Sequence, residues 1–170
     1  MRRAILLVAA TFWCAFPPVR SFACTCADLG AQTLLTQADL VFAGEAIRAE
    51  TVDGGGVTVA SKSGQSAVAP AQVVTFRVHA VWKGDVAKEI RVWTKVGPVG
   101  ICGVDFRIGD KYLVFGLRDA GKGRWESRTE LCFGTGYVRD KATRSHLQEL
   151  GSPSKMFPVA AWWGDILERR

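Results

Sequence analysis

The sequence lacks the residue patterns that most catalytic and metal centres need. Its 170 residues include only two histidines, His79 and His146, and their spacing does not suit two ligands of one metal ion. No Gly-x-Ser-x-Gly motif is present, and the glycine groups at 54–56 and 134–136 are not followed by the lysine of a phosphate-binding loop. We therefore expect no enzyme, no cofactor and no metal ion of its own, and we interpret both glycine groups as turns.

Apolar runs of membrane-spanning length are also lacking, although a shorter run stands at the start of the chain. Two of the first three residues are arginines, and residues 4–16 are almost entirely apolar, which is too short a run to cross a bilayer. Small residues at Ser21 and Ala23 fit the pattern recognised by signal peptidase. We expect a signal peptide over residues 1–23, a cut between Ala23 and Cys24, and a secreted, extracellular or periplasmic protein.

The expected cut makes Cys24 the first residue of the mature chain, a position that lipoproteins also give to cysteine. Their processing normally requires a leucine-like residue three positions earlier, where this chain has Ser21, so lipidation is the weaker alternative. Loss of Arg2, Arg3 and Arg20 lowers the formal net charge from +6 to +3. No block of lysine and arginine remains, so we do not expect a nucleic-acid partner.

Cysteine is the residue type that most constrains the mature chain. Four of the five cysteines remain after the cut, namely Cys24, Cys26, Cys102 and Cys132. Four cysteines in an exported chain predict two disulfide bonds. The spacing lacks the paired Cys-x-x-Cys motifs of a zinc ribbon, and cysteines one residue apart rarely bond each other. Cys24 and Cys26 should therefore each bond a distant cysteine, in either of the two pairings.

The hydrophobic pattern is mostly that of β-strands. Residues 72–82 alternate, with Val74, Phe76, Val78, Ala80 and Trp82 on an apolar face and Thr75, Arg77 and His79 on a polar one. Further strands are expected at 40–50, 89–94, 111–117 and about 124–131. Five strands without alternating helices favour a mainly β, Greek-key barrel of the OB type, since a sandwich needs about seven. We expect Trp82 in the core rather than stacked on a nucleic-acid base.

The remaining segments predict one long connection and two peripheral helices. Residues 53–70 are rich in glycine and small polar residues, which indicates a long mobile connection between the first two strands. A short helix is expected at 33–38, and a second between Asp140 as its N-cap and Gly151, with Leu147 and Leu150 inward.

The chain as a whole is long enough for one domain and a short tail. We place the domain at residues 24–151 and the tail at 152–170. The tail contains Trp162 and Trp163, and we expect it to pack onto the barrel rather than to form a binding patch.

Several short motifs follow one another in a fixed order along residues 24–150. They are Cys24-Thr25-Cys26, Ala-Asp-Leu-Val-Phe at 38–42, Ile101-Cys102-Gly103, an apolar strand at 112–117, and Glu130-Leu131-Cys132. In order and spacing they resemble the N-terminal inhibitory domain of the tissue inhibitors of metalloproteinases, within the netrin-like modules. The resemblance implies an OB-type barrel, the disulfides Cys24–Cys102 and Cys26–Cys132, and metalloendopeptidase inhibitor activity.

The resemblance also implies a mechanism that acts on the zinc of a target protease. A zinc metalloprotease keeps an open position on its catalytic metal, where the reactive water binds. In the family, the free α-amine and the carbonyl oxygen of the first cysteine occupy this position, so Cys24 would be the chelator. The residues implied as protease contacts are Thr25, Cys26, Gly100 and Ile101. Because only a neutral amine can bind zinc, binding would release a proton near neutral pH.

The chain also departs from the family's pattern. The third bridge of the family's domain has no counterpart, since Leu35 and Thr36 stand near where its N-terminal partner would be, and the cysteine-rich second domain is absent. The prolines of the family's N-terminal segment are replaced by Ala27, Asp28 and Leu29. A less rigid segment would bind less tightly. The alternative interpretation is a non-inhibitory netrin-like module that binds an envelope or matrix ligand. We expect a monomer in either case.

Overall fold

The computed structural model describes residues 26–60, 66–96, 102–118 and 127–158. Its helices are α1 (Ala31–Gln37) and α2 (Lys141–Leu150), and a 3-10 turn spans Leu131–Phe133. Its strands are β1 (Leu40–Ala60), β2 (Ser66–Lys83), β3 (Glu89–Lys95), β4 (Lys111–Arg118), β5 (Ser127–Arg128), β6 (Gly136–Tyr137) and β7 (Lys155–Met156).

Five of these strands close into a barrel. They follow the order β1-β2-β3-β5-β4, and β4 pairs back onto β1. The pairing of β3 with β5 is parallel, whereas the other four pairs of the barrel are antiparallel. The short strands β6 and β7 extend the sheet beside β4 and β2. The mainly β, five-stranded barrel of the OB type expected from the sequence is therefore confirmed.

Apolar side chains on the inner face of the strands fill the barrel. Phe76 lies among three other rings and makes edge-to-face contacts with Phe42 at 5.6 Å, Phe106 at 5.1 Å and Tyr112 at 6.2 Å between centroids. Such pairs contribute about 0.5–1.5 kcal/mol each beyond the burial of their area. The other buried members are Leu40, Ala46, Val74, Val78, Val81, Val86, Ile90, Val92, Val104 and Val114.

A second apolar cluster joins the two helices to the opposite face of β1 and β4. Leu34 of α1 and Leu147 of α2 pack there against Val41, Leu113 and Phe115. These strand residues alternate with those that point into the barrel, as the period of two requires. The expected inward position of Leu147 is confirmed, and both helices lie outside the barrel.

The helix ends agree with the sequence more closely for α2 than for α1. Helix α1 begins at Ala31, two residues before the expected start, and ends at Gln37. Asp140 occupies the N-cap position of α2 as expected, although its side chain makes no capping hydrogen bond. Gly151 ends the helix with a φ of +64°, a conformation that favours glycine.

The alternation along β2 is interrupted by a β-bulge at His79. Gly44 of β1 pairs with Val78 and Ala43 pairs with Ala80, so His79 is an extra residue on its strand. His79 was predicted to lie on the polar face of this strand. This prediction is wrong, since the residue is only 1% exposed. The bulge also shifts the alternation, and Val81 points into the barrel instead of its neighbour Trp82.

Trp82 consequently lies outside the barrel core, contrary to the prediction. Its half-buried ring packs with the second cluster beside the helices. The indole Nε1 donates a hydrogen bond of 2.8 Å to the carbonyl oxygen of Gly151. The tryptophan thus fastens the end of α2 to β2.

The segment 53–70 was expected to be a long mobile connection between the first two strands, and this prediction is wrong for residues 53–60 and 66–70, which belong to the strands themselves. Strand β1 continues to Ala60 and β2 begins at Ser66, with paired residues from Val57 opposite Ala69 to Ala60 opposite Ser66. A register shift between Val52 and Val57 accommodates the glycine run. The glycines predicted a connection, whereas the β-branched residues on both sides of them favour strands.

The fifth expected strand is described only in part. The pairs of β5 involve Ser127 and Arg128, and residues 119–126 lie outside the described part of the chain. The predicted end at 131 is too late, since the 3-10 turn already begins at Leu131.

Candidate functional site

The N-terminal segment before α1 is attached to the barrel by a disulfide bond. Cys26 bonds Cys132 of the 3-10 turn, with the sulfurs 2.03 Å and the Cα atoms 5.0 Å apart. This is the pairing that the resemblance implies for these two cysteines. The bond fixes the start of the described chain beside the turn that follows β5.

Cys102 lies next to the same turn. Its carbonyl oxygen accepts a 2.9 Å hydrogen bond from the backbone N–H of Leu131, the residue before Cys132. Cys102 is itself disulfide-bonded. Since Cys26 and Cys132 bond each other, its partner lies outside the described residues, and the bond to Cys24 stays a prediction. The structure thus brings three of the four expected cysteines together at one end of the barrel.

The other predicted site residues cannot be placed in the same way. Cys24, Thr25, Gly100 and Ile101 all lie outside the described residues. Cys26, the remaining predicted contact, is exposed. The described part of the site therefore consists of the segments that hold the predicted residues. They are the segment of Cys102 and the turn of Cys132, which we call the anchor cysteines.

The chain around Cys102 lies directly against the end of β3. The amide of Val104 donates a buried hydrogen bond of 2.9 Å to Oγ1 of Thr94. A Cβ atom placed on Gly103 would stand 1.6 Å from the carbonyl oxygen of Lys95, far inside van der Waals contact. Only glycine fits there without a shift of the backbone, which gives the glycine of the Ile101-Cys102-Gly103 motif a structural reason.

A salt bridge connects the end of β3 to the residues before the 3-10 turn. Nζ of Lys95 lies 3.0 Å from Oε1 of Glu130, and the two side chains are 24% and 41% exposed. Glu130 directly precedes the turn that contains Cys132. Sequence reasoning did not find this pair, because the two residues lie on separate elements and neither belongs to a charge pattern.

Two buried threonines, one on each side of the 3-10 turn in the sequence, also hold this turn in place. Oγ1 of Thr129 donates to the carbonyl oxygen of Phe115 at 2.8 Å, and Oγ1 of Thr135 accepts from the Phe115 amide at 2.9 Å. The two hydroxyl oxygens lie 2.7 Å apart. This network ties both sides of the turn to β4, so Cys132 stands on a well-supported loop.

The N-terminal segment has a second attachment at the start of α1. Oε2 of Glu149, on α2, accepts a 2.8 Å hydrogen bond from the backbone amide of Ala31. The Glu149 carbonyl oxygen accepts another, of 2.9 Å, from Nε2 of Gln32. Because Gly30 has no side chain to cap the helix, a carboxylate from α2 supplies the cap. Residues 26–31 are thus held at both ends.

Leu131 is a feature of this end of the barrel that sequence reasoning missed. Its apolar side chain is 44% exposed although both of its chain neighbours are less accessible. Exposed large apolar side chains occur elsewhere among the described residues at Ile108 and Met156. Only an exposure value identifies Leu131, since in the sequence it is one apolar residue among many.

The two histidines are packed within the fold, one on β2 and the other on α2. Burial lowers the pKa of His79 below its ordinary value, while the nearby carboxylate of Glu45 acts in the opposite direction. The ring of His146 packs edge-on against Phe115, with 6.0 Å between the centroids. Within the described ranges, no three His, Cys, Asp or Glu side chains are grouped so that they could hold a metal ion.

No protein-family model and no curated protein matches the chain. None of the helices in the described part is long and apolar enough to cross a membrane. The function is therefore inferred from the geometry around the cysteines.

Proposed function

We propose that this chain is an exported inhibitor of zinc metalloproteases that binds the catalytic zinc of its target through the N-terminal amine and carbonyl of Cys24. One observation carries the proposal. Cys26 and Cys102, which stand far apart in the sequence, are both attached to the turn at Leu131–Phe133. A new N-terminus at Cys24 would stand two residues from one of these attachments.

The attachment at Cys26 limits where the proposed chelating group can be. Two extended residues span at most about 7 Å, so the Cys24 amine stays within that distance of Cys26. Cys26 is exposed, so its neighbourhood is accessible to a protein partner. A short, exposed segment fixed at its base can enter a protease cleft with little loss of conformational freedom.

The chemistry of the proposed contact requires a free, neutral amine. The catalytic zinc of a metalloprotease has an open position, normally occupied by water. An α-amine with a pKa near 7.7–8.0 is largely protonated at neutral pH, so zinc binding would release a proton. Signal-peptide removal at Ala23 would create this amine, and acylation would abolish the activity. The protein contributes two zinc ligands in trans and no catalytic residue.

The neighbouring predicted residues complete the proposed contact surface. Thr25 follows the chelating residue and would enter the specificity pocket of the protease. Gly100 and Ile101 precede the anchored Cys102 by one or two residues, which places them within about 7 Å of it. We call the contact surface around the Cys24 amine the N-terminal ridge. It would consist of Thr25, Cys26, Gly100 and Ile101.

The proposal is tested by inhibition assays on a panel of zinc metalloproteases. The mature protein that begins at Cys24 is compared with the same protein carrying one additional alanine before Cys24. Inhibition by the first and loss of at least about 100-fold in affinity by the second is expected, because the extension removes the amine from its position. Equal inhibition by both proteins would reject the chelation mechanism.

A second candidate function, a non-inhibitory netrin-like binding module, is favoured by a different feature of the barrel. An open cleft of about 200 Å³ lies beside β2 and the start of β3. Its lining combines two cationic side chains and one carboxylate with apolar groups, namely Arg77, Val78, Lys88, Glu89, Phe157 and Pro158. Absence of inhibition by either protein, with both disulfides confirmed by peptide mapping, would favour this candidate.

A further inference from the structure

The two anchor cysteines of the N-terminal ridge belong to different segments of the chain. Cys102 lies in the connection after β3, whereas Cys132 lies in the turn after β5. Cys132 bonds Cys26, so no disulfide joins the two anchor segments directly. The covalent path between them runs only through the N-terminal segment, so their relative position also depends on noncovalent contacts between the segments.

The described contacts between these segments centre on the end of β3. The carbonyl of Lys95 lies against Gly103, and its ammonium group binds Glu130 at 3.0 Å. The Lys95 backbone thus touches the segment of one anchor, while its side chain reaches the segment of the other. One further hydrogen bond, from the Leu131 amide to the Cys102 carbonyl, joins the two segments directly.

We propose that Lys95 and Glu130 are positioning residues of the N-terminal ridge: their ion pair holds the Cys132 turn in register with the Cys102 segment. This inference rests on the proposed function for its effect on inhibition. The pair acts through the anchors and makes no contact with the protease zinc.

The ion pair is the shortest among the described residues, and it is less exposed than the pair of Arg48 and Glu50. Arg48 and Glu50 are 3.8 Å apart with side chains 64% and 51% exposed, so solvent screens their attraction. Lys95 and Glu130 are closer and less exposed, and the contact is also a hydrogen bond. Such a pair can set the geometry of two loops, whereas an exposed pair contributes little.

Loss of the ion pair should weaken inhibition by making the ridge less well ordered before binding. If the ridge must become ordered during binding, the affinity for the protease falls. Affinity differences between variants of one interface mostly come from the dissociation rate. We expect about fivefold faster dissociation from a zinc metalloprotease, with an association rate within about twofold of wild type.

The test uses the mature, oxidised full chain that begins at Cys24. Lys95→Met and Glu130→Gln remove one charge each at similar volume, and Lys95→Arg keeps the charge as the conservative variant. Glu50→Gln is the matched control, because it removes the more exposed ion pairs of Glu50 with Arg48 and Arg91 and leaves Lys95 and Glu130 in place. Each variant is measured for dissociation rate, for hydrogen exchange of the Leu131 amide and for global unfolding by urea.

The expected result separates positioning from general stability. Lys95→Met and Glu130→Gln should accelerate both dissociation and Leu131 exchange about fivefold, while Lys95→Arg and Glu50→Gln leave both within about twofold of wild type. Unchanged Leu131 exchange in the first two variants would overturn the proposal. Faster exchange with unchanged dissociation would overturn the link to inhibition.

The same experiment distinguishes failure of this inference from failure of the proposed function. If the wild-type protein inhibits none of the proteases, the proposed function is rejected. The exchange of the Leu131 amide does not depend on a protease, so it still decides whether Lys95 and Glu130 hold the anchor segments together.

Discussion

Gly103 lies directly against the backbone at the end of β3. The carbonyl oxygen of Lys95 occupies the space that a side chain at this position would need. The sequence shows a glycine after a cysteine, which is compatible with a turn, a bulge or a close approach. Only the fold distinguishes these roles, because Lys95 belongs to a strand that passes the same point.

We predict that Gly103→Ala destabilises the protein by about 2–3 kcal/mol, because the added methyl group must displace backbone rather than a flexible side chain. Gly30→Ala is the control, since its Cβ would meet Oε2 of Glu149 at an ordinary 3.4 Å and its φ is −62°. The control should cost less than about 1 kcal/mol. Urea unfolding measures both values, and equal values would contradict the close approach.

His79 makes a second prediction at the scale of one residue. Burial lowers the pKa of its imidazole in the folded protein below the ordinary value of 6.5, so the unfolded chain binds more protons below that pH. The free energy of unfolding should therefore be greatest above pH 6.5 and fall as the pH falls from 6.5 through the lowered pKa. His79→Gln should reduce this decline.

The measurement is urea unfolding of wild type and His79→Gln between pH 7.5 and 5. The charges that face the group are Glu45, which favours the protonated form, and Lys111 and Arg77, which disfavour it. A pH dependence that is identical in the two proteins would show that His79 does not contribute to it.

At the scale of elements, strand periodicity located the barrel strands but not their irregularities. The alternation around Phe76 predicted β2, and the residues that surround Phe76 are indeed in the core. The bulge at His79 depends on how β2 pairs with β1 around Gly44, which lies more than thirty residues earlier. A hydrophobic pattern contains no information about that pairing, so Trp82 was assigned to the wrong face.

The cap of α1 by Glu149 gives a prediction at the same scale. Glu149→Ala should destabilise the protein by about 1 kcal/mol, because it leaves the Ala31 amide without its carboxylate acceptor. Gln148→Ala, at an exposed neighbouring position of α2, serves as the control and should change stability by less than about 0.5 kcal/mol. Equal losses in thermal or urea unfolding would exclude a specific cap.

The barrel as a whole could be predicted from the hydrophobic pattern of the sequence. Five apolar strands with few helical segments predict a closed sheet, and the strand order with one parallel pair is the consequence of that closure. The surroundings of the cysteines were less predictable, because Lys95, Glu130 and Glu149 contact partners on other elements. Contacts of this kind depend on which loops share one end of the barrel.

The Cys26–Cys132 bond constrains the largest part of the molecule, since it closes a loop with a sequence separation of 106 residues. On a chain-entropy basis, its removal by Cys26→Ala with Cys132→Ala should lower the free energy of unfolding by about 4–5 kcal/mol. Urea unfolding under oxidising conditions measures the change. A loss below about 1 kcal/mol would show that the bond fixes the N-terminal segment without stabilising the barrel.

The most direct measurement of the central claim is the visible absorption spectrum of a cobalt-substituted metalloprotease during titration with the mature protein. Cobalt(II) in the catalytic site reports a change of ligands through its d–d bands. If Cys24 provides an amine and a carbonyl oxygen to the metal, the spectrum should change at one equivalent of inhibitor, and the alanine-extended protein should leave it unchanged. Inhibition of the protease by the mature protein without any spectral change would contradict the account.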